Sequence, residues 1–172
     1  MRNLITYDIE NGIIAPIRRG ADKTSNFVNI PVLGAADCGP ASQVAEAQPQ
    51  GYLKISKKIL KSGKGIFAVR AHGHSMNRAK VRGSGQTEKT IEDGDYVLID
   101  SKYVNPKNGD YVLSVVDGLA NIKKYVEDRE NEQILLLSES TQSFPPIYIH
   151  WNEAGECVVN GKVVEVIKRP KG

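Results

Sequence analysis

Short apolar runs separated by turn residues recur along this chain. They lie at residues 30–33, 52–55, 67–71, 96–99 and 111–116, and then at 119–126, 134–137, 147–151, 157–159 and 163–167. Runs of this length that are bounded by Gly, Pro, Asn and Asp are typical of β-strands, and few long helical periods interrupt them. The pattern therefore predicts a mostly β fold, an antiparallel β-rich domain.

Two dipeptides predict hairpins between these runs. Asp117-Gly118 is a two-residue turn signature, so the apolar runs on either side of it are expected to pair antiparallel. Asn160-Gly161 is a signal of the same kind and predicts a second hairpin before the last apolar run.

The segments outside the apolar runs are polar and weakly patterned. Residues 1–30 predict a short flexible N-terminal arm, too short for a packed helix-turn-helix domain. Residues 41–51 are polar and alanine-rich and are expected to form a mobile connection. Residues 77–90 are rich in Lys, Arg, Gly and Ser, which predicts an exposed, peripheral loop that the chemistry can dispense with.

Composition narrows the functional classes. The chain has 172 residues, 40% of them hydrophobic, which suffices for one domain with a core. A net charge of +3 is too small to indicate nucleic-acid binding, so direct DNA binding is not expected. The two cysteines, Cys38 and Cys157, form no zinc pattern, and no cofactor or metal is expected. Without an apolar signal or membrane-spanning run, the sequence predicts a cytoplasmic protein and no membrane partner.

Candidate chemistry lies at the end of one strand. The run at 67–71 leads through Gly73 to Ser75, a position where a rigid support can expose a nucleophile. A lysine inside a later strand could serve as its base, because serine with a desolvated lysine is an alternative to the Ser-His-Asp triad. Side chains along a strand alternate between its two faces, and the face of Lys124 has more apolar neighbours than the face of Lys123. The sequence pattern therefore leaves open which of the two lysines is the base. A histidine base, His72 or His74, is the rival.

These motifs, taken together, resemble the LexA/UmuD family of self-cleaving serine-lysine peptidases over about residues 30–168. The resemblance rests on Gly-His-Ser-Met at 73–76, Asp-Gly-Asp at 93–95, Asn-Gly-Asp at 108–110, Ile-Lys-Lys at 122–124, Phe-Pro-Pro-Ile at 144–147 and the closing run at 161–168. Two departures stand out. Residues 77–90 are longer than the usual link, and residues 138–140 read Ser-Glu-Ser where Pro-x-Asn is common.

The resemblance implies specific roles. Ser75 would be the nucleophile and Lys123, rather than Lys124, its general base, with backbone N–H groups of His74 and Ser75 forming the oxyanion hole. The chain would cut its own Cys38-Gly39 bond. Burial can lower a lysine pKa far enough to supply a neutral base.

The resemblance also implies a biological setting. Residues 1–38 would be an arm released on self-cleavage, and residues 39–172 a peptidase and dimerisation domain. Its dimer interface would lie in the late strands, including residues 163–167. The missing helix-turn-helix makes the chain similar to the UmuD branch, a homodimer of the SOS response to DNA damage. A RecA–single-stranded-DNA filament would trigger the cut, and a translesion DNA polymerase subunit would be the partner. The alternatives are a LexA-like repressor or sensor module without its DNA-binding domain, and a catalytically silent interaction module.

Overall fold

The computed structural model describes residues 5–8, 13–16, 26–34, 47–103 and 105–170. These residues contain no α-helix. The strands are β1 (Ile5–Asp8), β2 (Ile13–Pro16), β3 (Phe27–Leu33), β4 (Gly51–Ser56), β5 (Ile66–Arg70), β6 (Val81–Arg82), β7 (Glu88–Lys89), β8 (Tyr96–Asp100), β9 (Tyr111–Val116), β10 (Leu119–Asp128), β11 (Gln133–Leu137), β12 (Ile147–His150) and β13 (Cys157–Ile167). A 3-10 helix at Trp151–Glu156 precedes β13. The mostly β prediction is confirmed.

Nine of these strands form one sheet, in the order β12-β11-β10-β9-β13-β8-β5-β3-β4. Every neighbouring pair is antiparallel except β3 and β5, which run parallel. The sheet is therefore antiparallel-rich, as predicted, with one parallel pair. The cause is a crossover: β4 returns beside β3, and the chain then passes to the other side of β3 to begin β5.

The hairpin predicted at Asp117-Gly118 is confirmed. It joins β9 to β10, with Val116 paired to Leu119. Both turn residues have positive φ, 49° at Asp117 and 75° at Gly118, which is the conformation that matches the twist of a two-residue hairpin.

The hairpin predicted at Asn160-Gly161 is wrong, because both residues lie inside the single strand β13. The strand pairs with β9 along its first part and with β8 along its second, and its register shifts between Val159 and Gly161. A Cβ at Gly161 would lie 2.4 Å from the carbonyl oxygen of Asp100. Glycine is thus required by close backbone approach at a bulge, and not by a turn.

Residues 163–167, which were predicted to take part in the dimer interface, do not form an exposed edge of the sheet. Strand β13 is hydrogen-bonded on both sides, and Val163, Val166 and Ile167 are buried within the chain itself. The edges of the nine-stranded sheet are β12 and β4. Exposed aromatic side chains, Phe144, Tyr148 and Trp151, lie on and beside β12.

Residues 77–90 are more structured than the predicted peripheral loop. They contain the paired strands β6 and β7, and Val81 is buried in the main apolar cluster. The buried carboxylate of Glu165 accepts hydrogen bonds from Lys89 Nζ at 2.8 Å and from the Ser84 N–H at 2.9 Å. Burial alone would raise the pKa of Glu165, but the bonds from Lys89 and from backbone N–H groups lower it overall. These hydrogen bonds therefore attach residues 77–90 to β13.

Two apolar clusters cover opposite faces of the central strands. Along β5, Phe67 and Val69 belong to one cluster and Ala68 to the other, as the period of a strand requires. Met76 is buried in the first cluster, which ties the residue after Ser75 to the core. No helix in the described ranges is long and apolar enough to cross a membrane.

The N-terminal arm is described only in part. Strands β1 and β2 pair antiparallel, and β1 lies next to β4. The arm expected to be flexible therefore contains two paired strands within its described ranges.

Candidate active site

Ser75 lies on a tight turn that follows β5. The ladder continues one residue beyond β5, because Ala71 N–H donates to the carbonyl of Asp95 at 2.8 Å. The chain then turns at Gly73, whose φ of 77° lies in the left-handed region that favours glycine. The Gly73 N–H donates to the carboxylate of Asp93 at 2.8 Å, and this bond is the main reason that the pKa of Asp93 lies below its usual value. The turn is thus anchored on its N-terminal side.

Lys123 approaches this turn from β10. Its Nζ donates to Ser75 Oγ at 2.9 Å, and the residue is only 8% exposed. Opposite it on β9 lies Val112, which is fully buried. Burial lowers the pKa of Lys123 below its usual value. The arrangement is a serine hydroxyl facing an amine whose charged form is disfavoured.

Lys124 has a different environment on the opposite face of β10. Its Nζ lies 2.7 Å from Glu139 Oε1, and its side chain is about one third exposed, at 33%. The alternation argument that favoured Lys124 as the more buried lysine is therefore wrong. It failed because Tyr125, which lies on the same face of β10 as Lys123, is itself buried at 9% exposure.

A cleft of about 310 Å³ opens beside the two side chains and includes both Ser75 and Lys123 in its wall. Its apolar lining includes Leu33, Val69, Met76, Ile91, Leu113 and Ile122. Gly34, directly after β3, and Gln50, directly before β4, also line it. Cys38 and Gly39 fall between these two positions along the chain and lie outside the described residues.

The backbone around Ser75 offers candidate donors. The N–H groups of His74 and Ser75, the two predicted oxyanion donors, make no hydrogen bond to another described residue. The carbonyl of His74, in contrast, accepts from Ser140 Oγ at 2.7 Å and from the Asn77 N–H at 3.3 Å. Donors without an internal acceptor are what a developing oxyanion requires.

Residues 139–141 contact the Ser75 turn, and sequence reasoning missed this. The carbonyl of Glu139 accepts from the Arg78 N–H at 2.8 Å, and the Thr141 N–H donates to Asn77 Oδ1 at 2.8 Å. The Glu139 carboxylate binds both Lys124 and the hydroxyl of Tyr111. The only signal in the sequence was a departure from a Pro-x-Asn pattern, because the contacts join segments more than sixty residues apart.

The two histidines near the turn are exposed. His72 lines the cleft, and both it and His74 lie close enough to Asp93 to contribute to the low pKa of that carboxyl group. Over the described ranges, no three His, Cys, Asp or Glu side chains are grouped so that they could hold a metal ion.

Comparison with known proteins identifies a family. The profile described as Peptidase S24-like matches residues 31–164, most of the chain. The LexA repressor of Myxococcus xanthus is 27% identical over 155 residues, which are 89% of this chain and 63% of the relative. The LexA repressor of Geobacter metallireducens is 31% identical over 144 residues, 84% of this chain and 63% of the relative.

LexA repressor 1 of Geobacter sulfurreducens is 29% identical over 146 residues, 85% of this chain and 64% of that protein. The chain thus spans a little under two thirds of the length of these curated relatives. The profile match includes both Ser75 and Lys123 and extends over well more than half of the sequence. The chain belongs to the Peptidase S24-like family.

Proposed function

We propose that this chain is a self-cleaving serine peptidase in which Ser75 is the nucleophile and Lys123 the general base. The observation that carries the proposal is the 2.9 Å hydrogen bond between Lys123 Nζ and Ser75 Oγ, made by a lysine that is 8% exposed. The alternative lysine, Lys124, is instead held in an ion pair with Glu139 at 2.7 Å.

The proposed reaction begins when neutral Lys123 takes the hydroxyl proton of Ser75. Oγ then attacks the carbonyl carbon of Cys38, and the N–H groups of His74 and Ser75 donate to the oxyanion that forms. The C–N bond to Gly39 breaks as Lys123 returns the proton to the leaving amine. Water, deprotonated by the same lysine, hydrolyses the ester between Ser75 and Cys38 and restores the free hydroxyl.

The path of the chain supports an intramolecular cut. Gly34 lines the cleft, and Cys38 is only four residues farther along the sequence. An extended chain covers about 3.3–3.6 Å per residue, so four residues can span at most about 14 Å. The chain re-enters the described structure at Ala47, and Gln50 lines the cleft again. We therefore propose that the bond is cut by its own chain's serine.

The proposal extends to the consequence of the cut. Release of residues 1–38 would expose surface that the arm covers and so change the partners of the remaining domain, residues 39–172. Following the resemblance to the LexA/UmuD family, the product is proposed to be a cytoplasmic homodimeric accessory subunit of a translesion DNA polymerase. A RecA–single-stranded-DNA filament is the proposed trigger, which places the chain in the response to DNA damage.

A transcriptional repressor is the second candidate, favoured by the LexA repressors among the relatives. In that case the cut inactivates a DNA-binding protein instead of activating a polymerase subunit. Capture of a translesion polymerase catalytic subunit by the protein, compared with its retention on operator DNA, distinguishes the two roles. A catalytically silent module would pass either binding test and yet never cut.

The pH dependence of self-cleavage tests the choice of base. If neutral Lys123 limits the reaction, the rate should rise about tenfold per pH unit until the lowered pKa of that lysine is passed. With a histidine base, the cleavage rate would instead reach a plateau at about pH 7 to 8, because histidine titrates near 6.5. The His72→Ala and His74→Ala variants should keep the lysine profile. A plateau near neutrality that either substitution removes would contradict the proposed base.

A further inference from the structure

The side chain of Ser140 holds the peptide group that precedes the nucleophile. Its hydroxyl donates to the carbonyl of His74 at 2.7 Å and accepts from the Gln142 N–H at 3.0 Å. A hydroxyl has one proton to donate, and the bond from Gln142 occupies a lone pair, which leaves the proton directed at His74. The other donor to that carbonyl, the Asn77 N–H, is farther away at 3.3 Å.

The direction of this bond determines where the Ser75 N–H points. None of the described peptide bonds is cis, and in a trans peptide the C=O and the following N–H point in opposite directions. Ser75 lines the cleft, whereas His74 and Ser140 do not. The His74 carbonyl therefore points away from the cleft toward Ser140, and the Ser75 N–H points into it.

We propose that Ser140 is a positioning residue that fixes the His74–Ser75 peptide with its N–H aimed at the oxyanion. The inference rests on the proposed function, because it assigns a task to the N–H of the proposed nucleophile. Ser140 itself touches neither Ser75 Oγ nor Lys123 by any hydrogen bond, so its effect passes through the backbone.

The segment that carries Ser140 is anchored independently on both sides. Before it, the Glu139 carbonyl accepts from the Arg78 N–H, and after it the Thr141 N–H donates to Asn77. Glu139 also forms the ion pair with Lys124, the residue next to the proposed base. Consecutive residues thus bind the turn that holds Ser75 and the strand that holds Lys123. This arrangement sets the spacing of the two reacting groups.

Loss of the Ser140 hydroxyl should leave this peptide held only by the longer bond from the Asn77 N–H, so that it rotates more readily. In the rotated state the His74 carbonyl would face the oxyanion in place of an N–H. Complete removal of one oxyanion donor lowers a rate by about 100- to 1,000-fold. Because Asn77 still donates to the carbonyl, we expect Ser140→Ala to lower the self-cleavage rate by about tenfold.

The kinetic test compares three variants of the full chain across a pH series. Ser140→Ala should lower the rate at every pH without moving the midpoint of the profile, because Lys123 is untouched. Ser140→Thr keeps a hydroxyl and should restore most of the rate. Ser138→Ala is the matched control, since the Ser138 hydroxyl is buried and has no hydrogen-bond partner among the described residues. An equal loss in Ser138→Ala, or a shifted midpoint in Ser140→Ala, would overturn the proposal.

A second measurement does not depend on cleavage. The ¹⁵N relaxation order parameter of the Ser75 amide, recorded near neutral pH, should be about 0.85 in the unaltered chain and fall below about 0.6 in Ser140→Ala. Ser138→Ala should leave it unchanged. A rigid Ser75 amide in Ser140→Ala overturns the positioning role, and a loosened amide with an unchanged rate overturns its importance for the reaction. If the unaltered chain never cuts, the proposed function fails, while the amide measurement still decides the positioning.

Discussion

Replacing Lys123 by methionine should make the protein more stable while it abolishes self-cleavage. The lysine is 8% exposed, and its Nζ has a serine hydroxyl as its hydrogen-bond partner, with no ion pair to a described carboxylate. Burial lowers its pKa below the ordinary 10.5, so the unfolded chain binds a proton more tightly than the folded one. The charged form therefore opposes folding at neutral pH.

The size and the pH dependence of the gain follow from this. Exchanging buried ionic groups for apolar ones of similar volume stabilises proteins by about 1–4 kcal/mol, and we expect about 1–3 kcal/mol for Lys123→Met at pH 7.5. Below the folded-state pKa both states are protonated, and the full penalty on the lysine is present. Between that pKa and 10.5 the penalty declines as pH rises, so the advantage of methionine should shrink.

Lys124→Met is the matched control. It removes the 2.7 Å ion pair with Glu139, whose side chain is 26% exposed, and should cost about 1 kcal/mol. Urea denaturation of both variants in a Ser75→Ala background, which keeps the chain uncut, measures the two changes. The two substitutions, at adjacent lysines, should change the free energy of unfolding in opposite directions. If Lys123→Met unfolds at lower urea than its parent at pH 7.5, burial does not disfavour the charged lysine and the reasoning fails.

Further predictions concern assembly and the segment at 77–90. A chain that begins at Gly39 should sediment as a dimer at micromolar concentration, and a clean monomer would remove the proposed homodimer. Lys89→Ala leaves the buried Glu165 carboxylate without its cation and should lower the free energy of unfolding by about 2 kcal/mol. The loss is smaller than that for breaking a fully buried ion pair, because Lys89 is one third exposed. Arg82→Ala, in the exposed pair with Glu88, should cost less than about 0.5 kcal/mol in the same denaturation assay. Because the folded pKa of Glu165 is lowered, its stabilising effect should be lost as the pH falls below about 4.5, and acid unfolding should be shallower in Glu165→Gln.

Local signals predicted the parts of the fold that local chemistry determines. Asp117-Gly118 fixes a turn through two positive φ angles, and the run at 111–116 coincides with β9. Asn160-Gly161 is a turn signature of the same kind, but here the glycine is required by the close passage of Asp100 at a bulge. Whether such a dipeptide forms a turn or a bulge depends here on a strand about sixty residues away in the sequence. The dipeptide alone could therefore not reveal it.

The candidate site shows the same division. The serine after a strand and a glycine was apparent from the sequence, and the family motif pointed to Lys123 where alternation pointed to Lys124. Alternation failed because Tyr125, on the same face of β10 as Lys123, is itself buried, whereas Lys124 lies in a partly exposed ion pair with Glu139. The contribution of Ser140 could not be predicted from the departure at residues 138–140 alone, since its partner His74 is 66 positions away.

The most direct test of the account is the intact mass of the full chain after incubation at alkaline pH. The unaltered chain should yield two products, residues 1–38 and residues 39–172, which places the break at the Cys38-Gly39 bond. Ser75→Ala and Lys123→Ala should each remain a single folded species, while Lys124→Ala should still be cut. Cleavage of Lys123→Ala at the rate of the unaltered chain would contradict the serine-lysine mechanism.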